Sequence, residues 1–408
     1  MKNQTIRMTA IAAAISIASV AAHADTRDQA KRIHERLTGV PPTETTLLEM
    51  VAELEPGGDG GEAAADIAMN HPAFYNVTLK NWATPWTNRD FDVFQPLNDY
   101  TATVIGLVRD GDTADFRDIL TGDVTYVGTS ATGVTPYSTS NNSHYEELEE
   151  QNINLGDPAN FEAVAQSTLN GLPSDATAGV MTSRAAAKSF FILGTNRAMF
   201  RFTLINHLCD DLEQLNDVTR DPGRIRQDVS RSPGGDSRAF LNNCLGCHAG
   251  MDPLAQAFAY YNYEFDPQAD PDAESGQITY NDIGDIDPET GTRVVAKYHI
   301  NDSTFPYGFV TPDDRWDNYW REGQNDQYIG WDDGLDGFGN GAKSLGEELA
   351  NTEAFAYCQV EKAFEAVCLR EPGDEVDRNE IDGLVSSFQT NYNMKAVFAG
   401  AADYCKGE

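Results

Sequence analysis

Residues 240–253 read Phe-Leu-Asn-Asn-Cys-Leu-Gly-Cys-His-Ala-Gly-Met-Asp-Pro, which sets Cys244, Cys247 and His248 in the order Cys-x-x-Cys-His. Two thiols three residues apart lie on one side of a helical turn. From there they can form thioethers with the two vinyl groups on adjacent pyrroles of a haem. The next residue then turns its imidazole toward the iron. This spacing is the attachment signature of one covalent haem c, with Cys244 and Cys247 holding the porphyrin and His248 ligating the metal. With six Cys and seven His in the chain, random order would give the pattern only about 0.0015 times. A thioredoxin-like thiol pair would want a βαβ context, and none is readable here. A zinc cage would want a second Cys-x-x-Cys, which the sequence lacks. No Gly-x-Ser-x-Gly elbow, His-Glu-x-x-His, phosphate loop or dinucleotide fingerprint competes, so no catalytic residue is read.

The second axial ligand is open. Met251 follows His248 by three residues, so it shares its helical face and does not reach across a haem plane. Met199, His207, His299 and Met394 are the candidates, each also readable as a core methionine or a hydrogen-bonded histidine. Met or His there would suit electron transfer. An open position would suit small ligands or peroxide chemistry.

The start of the chain sets the compartment. Lys2 and Arg7 precede an apolar run over 8–22, which ends in Ala22-His23-Ala24 before a polar chain begins at Asp25. That order predicts a signal peptide over 1–24, cleaved after Ala24, and a periplasmic or secreted protein. The apolar run of about 15 residues is short of the ~20 that cross a bilayer. No later stretch is apolar enough, so no membrane span is expected in the mature chain. Cys209, Cys358, Cys368 and Cys405 are an even number in an oxidising compartment and predict disulfides, with free buried thiols as the alternative. Of the three pairings, Cys358 with Cys368 is disfavoured. Ten helical residues separate them by about 15 Å, against the ~7 Å limit for a disulfide.

Charge narrows the partners. The chain has 64 acidic and 29 basic residues, and loss of Lys2 and Arg7 takes the net charge from −35 to −37. Such a surface repels phosphate backbones and excludes nucleic acid. It suits either a solvated acidic coat or docking to a basic redox partner protein.

The periodicity predicts a mainly α, multi-helix protein with a cytochrome-c-like haem segment and long irregular acidic loops. Residues 25–90 read as an N-terminal helical region rich in aromatics toward its end. Residues 91–180 read as a helical and loop domain, with a helix over 98–122 and weak strand character at 124–127. Residues 181–262 read as the haem-bearing domain, with one or two long helices over 182–219. Residues 263–342 form an acidic, loop-rich insertion with a strand pattern at 293–300. Residues 343–408 read as a C-terminal helical domain, with helices over 344–371, 378–391 and 394–405. The Asp-rich piece at 285–289 does not fit a calcium loop.

Three stretches carry a resemblance. They are 91–127; then Gly179-Val180-Met181-Thr182-Ser183 with Thr195-Asn196-Arg197, Leu208-Cys209 and 244–253; then 343–405 with Phe355-Ala356-Tyr357-Cys358. They resemble the uncharacterised domain family associated with planctomycete-type cytochrome c modules. The likeness is most specific at Cys244-x-x-Cys247-His248-x-x-x-Asp252-Pro253-Leu254. It departs at Ala255 and at Ala259-Tyr260, where the family carries Gly and a Glu-Asn pair. The resemblance implies a mono-haem, mostly helical secreted protein and supplies no substrate. The residues support an electron carrier rather than an enzyme. A haem enzyme with an open distal site, or a surface binding protein with a structural haem, are the alternatives. One haem needs about 100 residues of cover, so much of the chain is left for a partner or substrate role.

Overall fold

Asp25 accepts a hydrogen bond from the backbone N–H of Asp28 and so starts the helix Thr26–Thr38, which ends at Gly39 in the left-handed conformation at φ 72°. Both signals are local, a carboxylate N-cap and a glycine stop. The computed structural model describes residues 25–192 and 196–407. The leader read over 1–24 lies outside the described residues. Ala30, Ile33 and Leu37 bury one face of this first helix. It packs with Glu44–Leu54, Gly61–Met69 and the last helix, Met394–Tyr404. The two ends of the chain therefore meet. Arg32 donates to the carbonyl of Lys406 at 2.6 Å, and Gln29 donates to that of Gly407 at 2.9 Å.

Helices carry the fold, as expected for a mainly α chain. Among the described residues the sheets are three two-stranded antiparallel pairs. Thr125–Gly128 pairs with Phe161–Val164, Tyr261–Glu264 with Gln277–Tyr280, and Arg315–Asp317 with Phe338–Asn340. One connected core runs from Ile33 through Val104, Phe200, Leu254, Trp320 and Phe364 to Phe398. It is shared by the N-terminal, motif-bearing and C-terminal segments. A smaller cluster of Ile225, Phe240, Leu245 and Ala249 lies under the motif.

Several expected elements break where the chain needs to turn. The helix expected over 98–122 stops at Arg109 and resumes only at Asp118–Thr121, because Asp110-Gly111-Asp112 favours a turn. The helices expected over 182–219 are Arg184–Phe191 and Asn196–His207. Cys209 then takes φ 60° and leaves the helical path. The helix expected over 344–371 is two, Gly341–Ala350 and Glu353–Cys368, the second capped by the Thr352 side chain. The strand pattern at 293–300 is a tight turn, Ala296–His299, that drives Tyr298 inward. The last two helices are Glu375–Asn391 and Met394–Tyr404.

Cys209 pairs with Cys358 and Cys368 with Cys405, at Cα separations of 5.3 and 5.5 Å. Cys358 and Cys368 share one helix, which keeps them apart as the spacing required. Cys244 and Cys247 remain free thiols. Among the described residues no helix is long and apolar enough to cross a membrane.

The motif sits on Leu245–Ala255, which packs on Asn196–His207. Its seat is set by Gly250. A Cβ there would lie 2.1 Å from Nε1 of Trp320, whose ring is fully buried. The Gly250→Ala variant should therefore lose about 1–3 kcal/mol, the usual cost of overpacking a core. Urea unfolding followed by tryptophan fluorescence checks this; an unchanged midpoint would show that the contact does not set the helix position.

Candidate functional site

Leu241, Cys244, Cys247 and His248 recur at steps of three and four residues and form the more exposed face of the motif segment. Leu245, Ala249 and Gly250 point the other way and are buried. Amphipathic spacing thus puts both thiols and the imidazole on one side. The segment 210–217 walls this face. The backbone N–H of Asp217 donates to the Gly246 carbonyl at 3.1 Å, and the Cys247 thiol donates to the Leu212 carbonyl at 3.3 Å. Burial pushes the Cys247 thiol above its ordinary value, and the carboxylates of Asp211 and Glu213 push the same way.

His248 is fixed from behind. Its Nδ1 lies 3.0 Å from Oδ1 of Asp252, one helical turn on. The Asp252 side chain is wholly buried. Arg197 grips it with Nε on Oδ1 and Nη2 on Oδ2, both at 2.6 Å. The backbone N–H of Arg226 adds a bond to Oδ2 at 3.0 Å. Arg197 also reaches Asp228, with Nη1 at 2.6 Å and Nη2 at 2.9 Å. Arg226 closes the cluster, donating to Asn196 Oδ1 at 2.9 Å and Asp228 Oδ2 at 3.3 Å. Burial alone would raise the Asp252 carboxyl. Arg197 and His248 outweigh it and hold the group well below the usual carboxylate range. An ionised carboxylate only accepts, so in the neutral ring the proton sits on Nδ1 and Nε2 keeps its lone pair. Nε2 has no hydrogen-bond partner among the described residues.

The donor set, two free thiols and an imidazole on one face, is of the kind a covalent haem takes. Val229 packs on the small cluster beside Cys244. It also lines a cavity of about 330 Å³ with Gln227, Arg231, Phe305, Pro306 and Tyr307. Arg231 lies over the Phe240 ring at 4.9 Å, and its Nη1 has no hydrogen-bond partner among the described residues. Ser230, Ser232 and Thr304 also line that cavity, and none of Cys244, Cys247 and His248 does. Among the described residues no group of three His, Cys, Asp or Glu side chains could hold a bare metal ion. The half-zinc reading therefore gains no further ligands.

The four candidates for the second axial ligand sit elsewhere or are engaged. Met199 and Met394 are buried in the main core. His207 is buried with Nε2 2.8 Å from the Tyr100 hydroxyl, and burial lowers its pKa well below the ordinary value. His299 places Nε2 2.8 Å from the Thr311 carbonyl. Met251 is buried as well. None is presented with the thiols and His248.

Residues 226 and 228 had no signal in the sequence, and Asn196, Arg197 and Asp252 entered only through the resemblance. The one legible cue was the four-residue step from His248 to Asp252. No protein family, curated protein or solved structure matches this chain.

Arg197→Ala would strand the Asp252 charge and should cost about 3–5 kcal/mol. The folded Asp252 pKa is depressed, so its contribution is present above the unfolded value of about 3.9 and is lost as pH falls below it. Urea unfolding of the variant and the parent should differ fully at neutral pH, and the gap should narrow progressively as pH falls below about 4. A gap that ignores pH would place the cost elsewhere.

Proposed function

We propose that the chain is an exported mono-haem c-type cytochrome that transfers electrons. The observation that carries this reading is the set of Cys244, Cys247 and His248 on one helical face. The two thiols are free while the other four cysteines pair. Each thiol would add across one vinyl double bond, sulfur to one carbon and hydrogen to the other, with nothing released. A haem held there supplies one-electron uptake and release at its iron. Around it, His248 offers Nε2, Asp252 fixes the ring, and Val229, Phe305 and Pro306 exclude water. The leader and the disulfides suit an oxidising compartment. The resemblance to the domains joined to planctomycete-type cytochrome c modules points the same way. The net charge of −35 suits a basic redox partner.

A second reading, peroxidase-like or other oxidative chemistry at an open sixth position, draws on one observation. Met199, His207 and Met394 are all buried away from the motif face. Binding of cyanide or carbon monoxide without ligand displacement would favour it over simple transfer.

Protein matured in a haem-attaching host should show a sharp reduced α-band. Its haem should survive acid–acetone extraction and give a c-type pyridine haemochrome. The Cys244→Ala/Cys247→Ala double variant should lose all covalent haem. No Soret band in the parent, where a control cytochrome matures, would sink the reading.

A further inference from the structure

We infer that Asp252 is a positioning residue for the iron ligand, holding His248 Nδ1 so that the imidazole donates more electron density than a neutral ring and biases a bound haem toward its ferric state. This rests on the proposed function. A ligating histidine usually gives its second ring N–H to a backbone carbonyl, a water or a carboxylate, and the choice tunes its basicity. Here the acceptor is a carboxylate with no exposed surface. It cannot swing away, because its acceptor sites are filled. Oδ1 takes Arg197 Nε at 2.6 Å and His248 Nδ1 at 3.0 Å. Oδ2 takes Arg197 Nη2 at 2.6 Å and the Arg226 N–H at 3.0 Å. That matches the roughly four lone-pair sites of a carboxylate.

The charge balance decides whether any anionic character is left for the ring. Arg197 by itself would neutralise Asp252. Asp228 shares that guanidinium through Nη1 at 2.6 Å and Nη2 at 2.9 Å. Arg226 in turn divides its guanidinium between Asn196 and Asp228 and gives Asp252 only a backbone N–H. Asp252 therefore shares the Arg197 guanidinium with Asp228, and one of its four acceptor contacts is made to Nδ1 of His248. The proton stays on His248, since donors already occupy both oxygens of the Asp252 carboxylate. The ring is both oriented and polarised.

Two substitutions separate orientation from charge. Asp252→Asn keeps an oxygen for Nδ1 and removes the charge. In haem-loaded protein it should favour the ferrous form by about tenfold or more, the usual scale for losing such a partner. Tenfold is a rise of about 59 mV in the one-electron midpoint potential. Asp252→Glu restores the charge and should recover part of the shift. A midpoint unchanged in a folded, fully haem-loaded Asp252→Asn protein would overturn the inference and leave the proposed function standing. Absence of covalent haem from the parent would overturn both. If the Asn variant does not fold, ferric EPR of the parent decides. Its g-value spread should be narrower than that of a c-type haem peptide with the same axial ligands and a solvated imidazole. An equal spread would refute the role given to Asp252.

Discussion

A carboxylate taken wholly out of water must be paired or become neutral. Asp252 is such a group, and the structure around the motif is organised by keeping it ionised. Arg197 comes from the Asn196–His207 helix, Arg226 and Asp228 from the connector that follows it, and Asp252 from the Leu245–Ala255 helix. One buried charge therefore fixes three pieces of chain relative to one another. The cluster of two arginines and two aspartates is neutral as a whole, so the desolvation of each ion is offset by its partners' charge and hydrogen bonds. Its hydrogen bonds also define which ring nitrogen of His248 faces outward. Fold and site are thus the same interaction seen from two sides.

The rest of the scaffold limits how that helix can move. Trp320 closes on Gly250 from behind. The Cys209–Cys358 bridge ties the end of the Asn196–His207 helix to Glu353–Cys368. The second bridge, Cys368–Cys405, joins that helix to the end of the chain. The wall after Cys209 is anchored to a segment 149 residues away in sequence. A crevice that must exclude water around a prosthetic group gains from such long-range anchoring, since its openings would otherwise track local loop motion.

The motif and the helical class were legible because both depend on local spacing. Cys244, Cys247 and His248 are read from three adjacent offsets, and Asp25, Thr43 and Gly39 mark helix ends through contacts within four residues. The expected single helices over 98–122 and 344–371 failed for a related reason. Apolar periodicity continues across Asp110-Gly111 and Asn351-Thr352, while the backbone turns there to satisfy caps. The disulfide partners lay beyond local rules, although helical rise was enough to reject Cys358 with Cys368. The arginine–aspartate cluster was the least legible part. It joins residues 197, 226, 228 and 252, and in a chain with 64 acidic residues no single Asp stands out by type. The four-residue step from His248 marks Asp252, but its partners Arg197, Arg226 and Asp228 are set by burial, and burial is a property of the fold.

The arginines near the motif give an independent argument about what that face accommodates. Arg201, Arg220, Arg224, Arg226 and Arg238 each pair with a carboxylate, as a chain with a net charge of −35 makes easy. Arg231 differs. Its Nη2 donates only to the carbonyls of Pro222 and Ile225, and its Nη1 donates to nothing among the described residues. Burial lowers its pKa, and the Asp252 carboxylate offsets part of that shift. It lines the cavity formed with Val229, Phe305 and Pro306, on the side of the small cluster that holds Cys244. An anionic group from outside the chain would complete it, and apolar walls restrict that group to one carried on a largely apolar body.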